Sequence, residues 1–163
     1  MSLSVLAITN VKTNSDTDLG DLLDRGLIKP EALNKILEVT WLSTPASETF
    51  EFNAGSYKFM GGWMEWLALT FYGTLLSAII GDWTDEDRGT KAFMELFMHN
   101  NTDGSFDTKT CIKLYNDFKE HLPKVEDQLV KINTEQAQAA LLQYQEFTHA
   151  FKVGAENGIV IFN

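Results

Sequence analysis

The chain is short of cysteine, proline and positive charge, and it has no long apolar run. A single cysteine, Cys111, excludes an internal disulfide and any multi-cysteine zinc site. The three prolines act as local punctuation: Pro30 suits a first helical position, Pro45 a connector and Pro123 a helix stop. Thirteen basic residues against twenty-three acidic ones leave a net charge of −10. Such a field repels nucleic-acid phosphates and anionic membranes, so nucleic-acid binding is not expected and a basic protein is the favoured partner. The longest uncharged stretch, Trp66 to Gly81, is sixteen residues, short of the roughly 20 needed to span a bilayer. A Gly-rich phosphate loop, a nucleophile elbow and an HExxH pair are all missing. The opening MSLSVLAITN lacks a basic segment and a long enough apolar run for a signal peptide, so a cytoplasmic location is expected.

Apolar side chains are plentiful. They make up 44% of the 163 residues, and aromatics 12%, which predicts a true core and not a disordered chain. A chain of this length forms about one domain, here residues 1–163, and buries roughly two-thirds of its unfolded surface.

The clearest local pattern spans residues 91–122. Phe93, Leu96 and Phe97 fall at i, i+3 and i+4, and Cys111, Leu114, Tyr115, Phe118 and Leu122 repeat that spacing. Two helices are expected, the second stopping at Pro123 and followed by a short helix through Ile132. The loop between them, HNNTDGSFDTKT, carries an Asp103-Gly104 turn and offers Asp107 or Thr108 as the next N-cap.

With Gly104 at the sixth position, this loop resembles an EF-hand calcium loop. Asn101 and Asp103 then occupy ligand positions three and five, Phe106 position eight and Asp107 position nine. Both anchors depart from the pattern, since His99 stands at position one and Thr110 at position twelve, where a bidentate glutamate belongs. The loop also resembles a His-x-(Asp/Asn)-x-Asp-Gly signature of small, uncharacterised bacterial proteins, where it likewise joins helices and precedes a cysteine. The matching residues are His99, Asn101, Asp103, Gly104 and Cys111.

Elsewhere, short strands are expected at residues 3–8, 49–52 and 159–162, the last pairing with one of the other two. Asp16 begins a helix that ends at Gly26, and Pro30 begins another with Leu33, Ile36 and Leu37 on one face. Ser56 is a suitable N-cap for the apolar stretch through Gly81, which reads as one buried helix with Gly73, Ser77 and Gly81 as a close-packing stripe. Asn133 with Gln136 resembles a capping box before a long amphipathic helix, traced by Ala137, Ala140, Leu141, Tyr144, Phe147 and Phe151. An Asn157-Gly158 turn then leads into the last strand. The expected fold is mainly α, a compact bundle of five to six helices with a small antiparallel sheet.

Catalytic constellations are scarce. His99 and His121 are separated by about thirteen helical residues, roughly 20 Å on a straight helix, and His149 can approach only one of them. No catalytic residue and no cofactor is assigned. The expected function is a non-enzymatic protein-binding module, such as an immunity or inhibitor protein that neutralises a basic partner. Its contact residues are expected in the acidic loop: Trp83, Asp85, Glu86 and Asp87. One alternative is a calcium-responsive helix-loop-helix domain with Asn101, Asp103 and Asp107 as ligands. Another is a small enzyme with a site around Glu65 and His99, Glu65 being flanked by Met64 and Trp66.

Overall fold

Four short apolar segments that are distant in the chain come together as one antiparallel sheet. The computed structural model describes residues 2–10, 48–87, 89–99, 104–132 and 134–162, the side chain of residue 99 apart. Strand β1 (Ser2–Ile8) pairs antiparallel with β2 (Thr49–Ser56), and on its other side with β4 (Ile159–Phe162). Strand β3 (Gly104–Phe106) pairs antiparallel with β4, giving the order β2-β1-β4-β3. The expected strands are therefore present, with the 49–52 strand extending to Ser56. The terminal strand takes β1 as its partner.

Register decides which side chains share a face. Val5 lies opposite Phe52 and Phe162, and Ala7 opposite Phe50 and Val160, so these residues form one apolar face. Leu6, Ile8, Ile159 and Ile161 take the other face, where Ile8, Ile159 and Ile161 are also buried. All four residues of β4 are buried, as an apolar run without alternation requires.

Five α-helices accompany the sheet among the described residues: α1 (Tyr57–Tyr72), α2 (Leu76–Asp82), α3 (Met94–His99), α4 (Thr108–Leu129) and α5 (Thr134–Gly154). A single 3-10 turn, Asp85–Asp87, lies between α2 and α3. Helix α5 crosses the first sheet face, and α4 runs along α5. Their shared core is aromatic. The Phe147 ring stacks on Trp63 at 5.2 Å and meets Phe52 edge-on at 5.1 Å, while Phe118 lies 4.6 Å from Tyr144 and 4.9 Å from Phe93. Rings at these separations gain energy beyond area burial. Polar tips are satisfied inside this core. The Tyr144 hydroxyl donates to the Phe118 carbonyl (2.7 Å), Trp63 Nε1–H to Ala140 (3.2 Å) and Gln143 Nε2–H to Ala54 (3.2 Å).

Two expectations about helix boundaries need correction. The apolar stretch after Ser56 is not one helix. Ser56 caps α1 by accepting the Phe59 N–H, but Gly73, at φ 64°, ends it with its N–H on the Leu69 carbonyl. Helix α2 then departs at 70°. Gly73 serves as a left-handed cap, and Ser77 and Gly81 are exposed, so the expected packing stripe does not form. Pro123, conversely, does not stop α4, which continues to Leu129. An interior proline costs about 3 kcal/mol. Burying Val125 and Leu129 beyond it returns roughly 1.5–3 kcal/mol each, and Pro123 itself lies on the exposed face of the helix. The helices expected from Asp16 and from Pro30, and Asn133 of the expected capping box, lie outside the described residues.

The turn into β4 shows why glycine is required there. Asn157 takes φ 51°, and a Cβ on Gly158 would collide with the Ile8 carbonyl oxygen. The Thr108 hydroxyl donates to the Gly158 carbonyl (2.7 Å), tying the start of α4 to this crossing.

Candidate functional site

The acidic loop after α2 is built as a rigid surface feature. The Asp87 carboxylate turns inward, accepting the Thr84 N–H (2.8 Å) through one oxygen and pairing with Lys91 Nζ (2.8 Å) through the other. Its hydrogen bond with Lys91, helped by the Thr84 amide, holds this carboxyl below the usual carboxylate range. Asp82, Asp85 and Glu86 are exposed around it, and Trp83 is half-buried against the core. Of the four expected contact residues, Asp85 and Glu86 thus face solvent, Trp83 lies at the rim and Asp87 organises the turn.

An ionic node just behind the loop holds it in place. Lys113 Nζ, on α4, lies 2.6 Å from Glu95 Oε2 and 2.7 Å from Asp117 Oδ2, and also donates to the Lys91 carbonyl. Glu95 Oε1 accepts the Gly89 N–H (2.6 Å), where Gly89 takes φ 76°. Asp117 Oδ2 accepts the Phe93 N–H (3.0 Å). Phe93 is fully buried with φ 59°, a left-handed conformation that costs a bulky residue about 1–3 kcal/mol. It persists because the ring meets Phe71, Phe118 and His121 while its amide is held by Asp117. The chain from Gly89 to Phe93 is therefore fastened at four points, to α3 through Glu95, to α4 through Lys113 and Asp117, and to α1 through the Tyr72 hydroxyl on the Ala92 carbonyl.

Burial, with the nearby Glu95 charge, pushes the Asp117 carboxyl above its ordinary value despite Lys113 and the Phe93 amide. Tyr72, whose hydroxyl donates to the Ala92 carbonyl (2.7 Å), is pushed up to about 12 by burial and then by Asp117, Glu95 and Asp87. Burial likewise raises the Tyr144 hydroxyl well above its ordinary value. This node is almost silent in the sequence. Lys113 and Asp117 stand at i, i+4 on α4, the one visible signal, but that spacing usually marks a solvated pair.

The other candidates are dispersed. Asp107 Oδ1 accepts the Thr110 N–H (2.8 Å) as the N-cap of α4. Its expected companions Asn101 and Asp103 lie outside the described residues. Glu65 Oε2 accepts the Leu76 N–H (3.1 Å) at the start of α2, while the His99 side chain lies outside the described residues. His121 meets Phe71 at 5.0 Å and His149 meets Phe50 at 4.3 Å, on separate parts of the core. Cys111 is buried against Phe106, with Gly154 leaving room for its sulfur. Among the described residues no group of three His, Cys, Asp or Glu side chains is placed to hold a metal. No single described helix is long and apolar enough to cross a membrane.

Comparison of the chain with protein-family models, with curated proteins and with solved structures finds no match.

Proposed function

We propose that this protein is a non-enzymatic binding module that neutralises a basic protein partner, in the manner of an immunity or inhibitor protein. The observation that carries this reading is the clamped acidic loop. Asp87, Glu95 and Lys113 spend their charges inside the protein, and the resulting turn presents Asp85 and Glu86 outward beside Trp83. Preorganised charge costs less to bind than a loop that must first be ordered. The overall charge of −10 draws a basic partner toward the protein.

The test is affinity capture from lysate of the source cells with the wild type and with a variant carrying Asp85→Lys and Glu86→Lys. A basic protein retained at low salt, released as screening rises and not retained by the charge-reversed variant, is the expected result. Equal retention by both proteins would refute the assignment. So would a turnover unaffected by the charge reversal with no retained partner.

A further inference from the structure

Helix α2 begins on the wrong kind of residue for its own stability. Three N-caps share nearly one backbone geometry: Ser56 (φ −71°, ψ 158°), Asp107 (φ −72°, ψ 171°) and Leu75 (φ −68°, ψ 146°). Ser56 and Asp107 each accept a backbone N–H through the side chain, as caps do, whereas Leu75 makes no such bond. Leu75 is instead 55% exposed. Glu65 partly compensates from α1 by taking the Leu76 N–H. A local rule broken without a local gain points to selection for something else.

The surroundings say what that is. Leu69 is 46% exposed one turn before Gly73, and Ala78 is exposed one turn after Leu75, so the α1–α2 elbow displays an apolar ridge. One hydrogen bond spans the elbow, from the Leu76 N–H of α2 to the Glu65 carboxylate of α1, while the Gly73 N–H on Leu69 and the Ala78 N–H on Leu75 close the two helix ends. One end of this ridge runs directly into Asp82, Trp83, Asp85 and Glu86, and no Lys or Arg occurs between Lys58 and Arg88. An apolar ridge with a one-sided acidic rim complements an amphipathic segment that carries apolar anchors beside Lys or Arg. It does not complement itself, because two copies would oppose their own carboxylates. An anionic bilayer is repelled for the same reason.

We propose that the α1–α2 elbow and the acidic loop form one docking surface for a basic amphipathic helix of the partner, with Leu69 and Leu75 as its apolar contacts. This inference rests on the acidic-loop reading above and adds the apolar half of the site.

The test uses the full chain and two synthetic peptides of about 20 residues, equal in composition. One places leucines on one helical face flanked by lysine and arginine; the other disperses them. The wild type is expected to bind the amphipathic peptide about ten-fold tighter than the dispersed one. A Leu69→Ser, Leu75→Asn variant is expected to lose that preference. Leu75→Asn alone is expected to lose part of it while melting at a higher temperature, which separates lost binding from lost folding. Equal affinity for both peptides, or a preference retained by the double variant, overturns the proposal. Binding to neutral phosphatidylcholine vesicles without peptide preference, or Leu75-dependent self-association in sedimentation, overturns it in favour of a membrane or a second copy. The charge-reversed Asp85→Lys, Glu86→Lys protein distinguishes the two levels. If it loses both peptides while the elbow variants lose neither, the acidic loop binds and the elbow does not; if it loses neither, the underlying reading fails.

Discussion

Asp117 offers the sharpest perturbation of the node that clamps the acidic loop. Its Oδ2 takes both the Phe93 N–H and the Lys113 ammonium, yet burial holds the carboxyl above its usual range. The surroundings thus disfavour the charge on balance, in spite of a short ion pair. An amide of the same shape keeps an oxygen for Phe93 and sheds the charge. Asp117→Asn should therefore change stability by less than about 1 kcal/mol at neutral pH, because Lys113 keeps Glu95 as its partner and is not left as a lone buried charge. Asp117→Ala strands the Phe93 amide in a fully buried, strained position and should cost about 2–3 kcal/mol. In a chain of this length that lowers the melting temperature by roughly 5–10 °C. The pH dependence has a definite sign. Because the folded carboxyl lies above its unfolded value, its contribution is fully present below the unfolded pKa and is lost as pH rises through the folded one. The stability of wild type minus that of the Asn variant should fall as pH rises above about 4. Urea unfolding followed by circular dichroism, at fixed ionic strength across acidic to neutral pH, measures both quantities. An Asn variant as unstable as the Ala variant, or a difference that grows with pH, would mean that the Asp117 charge itself stabilises the node.

Three further outcomes are expected. Tyr72 titrates near 12 in the folded chain against about 10 unfolded, so its contribution holds below pH 10 and is lost as pH rises toward 12. Alkaline unfolding of Tyr72→Phe should accordingly be shallower, which a pH titration of the melting temperature will show. A Cβ at Gly154 would lie 2.7 Å from Cys111 Sγ and 2.8 Å from Val160 Cγ2. Gly154→Ala should thus cost about 1–3 kcal/mol in denaturant unfolding, and Cys111→Ala in the same chain should recover part of it. Leu75→Asn should gain about 0.5–2 kcal/mol by supplying the missing cap, and no gain in thermal unfolding would mean that the α2 N-terminus is already satisfied.

Much of the architecture was readable from residue spacing because burial imposes a period on the chain. Cys111, Leu114 and Phe118 on α4, and Tyr144, Phe147 and Phe151 on α5, are buried as the helical period requires. Ser56 and Asp107 cap as their chemistry prescribes. Residue spacing misleads where one residue type serves two ends. Gly73 looks the same in sequence whether it admits a neighbouring helix or ends its own, and only the φ of 64° decides. Pro123 stops a helix unless the turns beyond it bury enough, and Val125 and Leu129 do. The three residues of β3 are too few to show alternation, so their pairing with β4 is a tertiary fact. At the candidate site, the exposed Asp85 and Glu86 were legible as charge. The inward turn of Asp87, the Glu95–Lys113–Asp117 node and the left-handed Phe93 depend on contacts between separate elements.

One face, from the elbow through the acidic loop, is thus proposed to carry the binding. Titrating the isotope-labelled chain with the amphipathic basic peptide and following amide chemical shifts tests it most directly. Shifts concentrated at Leu69, Leu75, Ala78, Trp83, Asp85 and Glu86, with the β4 amides unchanged, are the predicted result. Shifts centred on another surface, or none at saturating peptide, would contradict it.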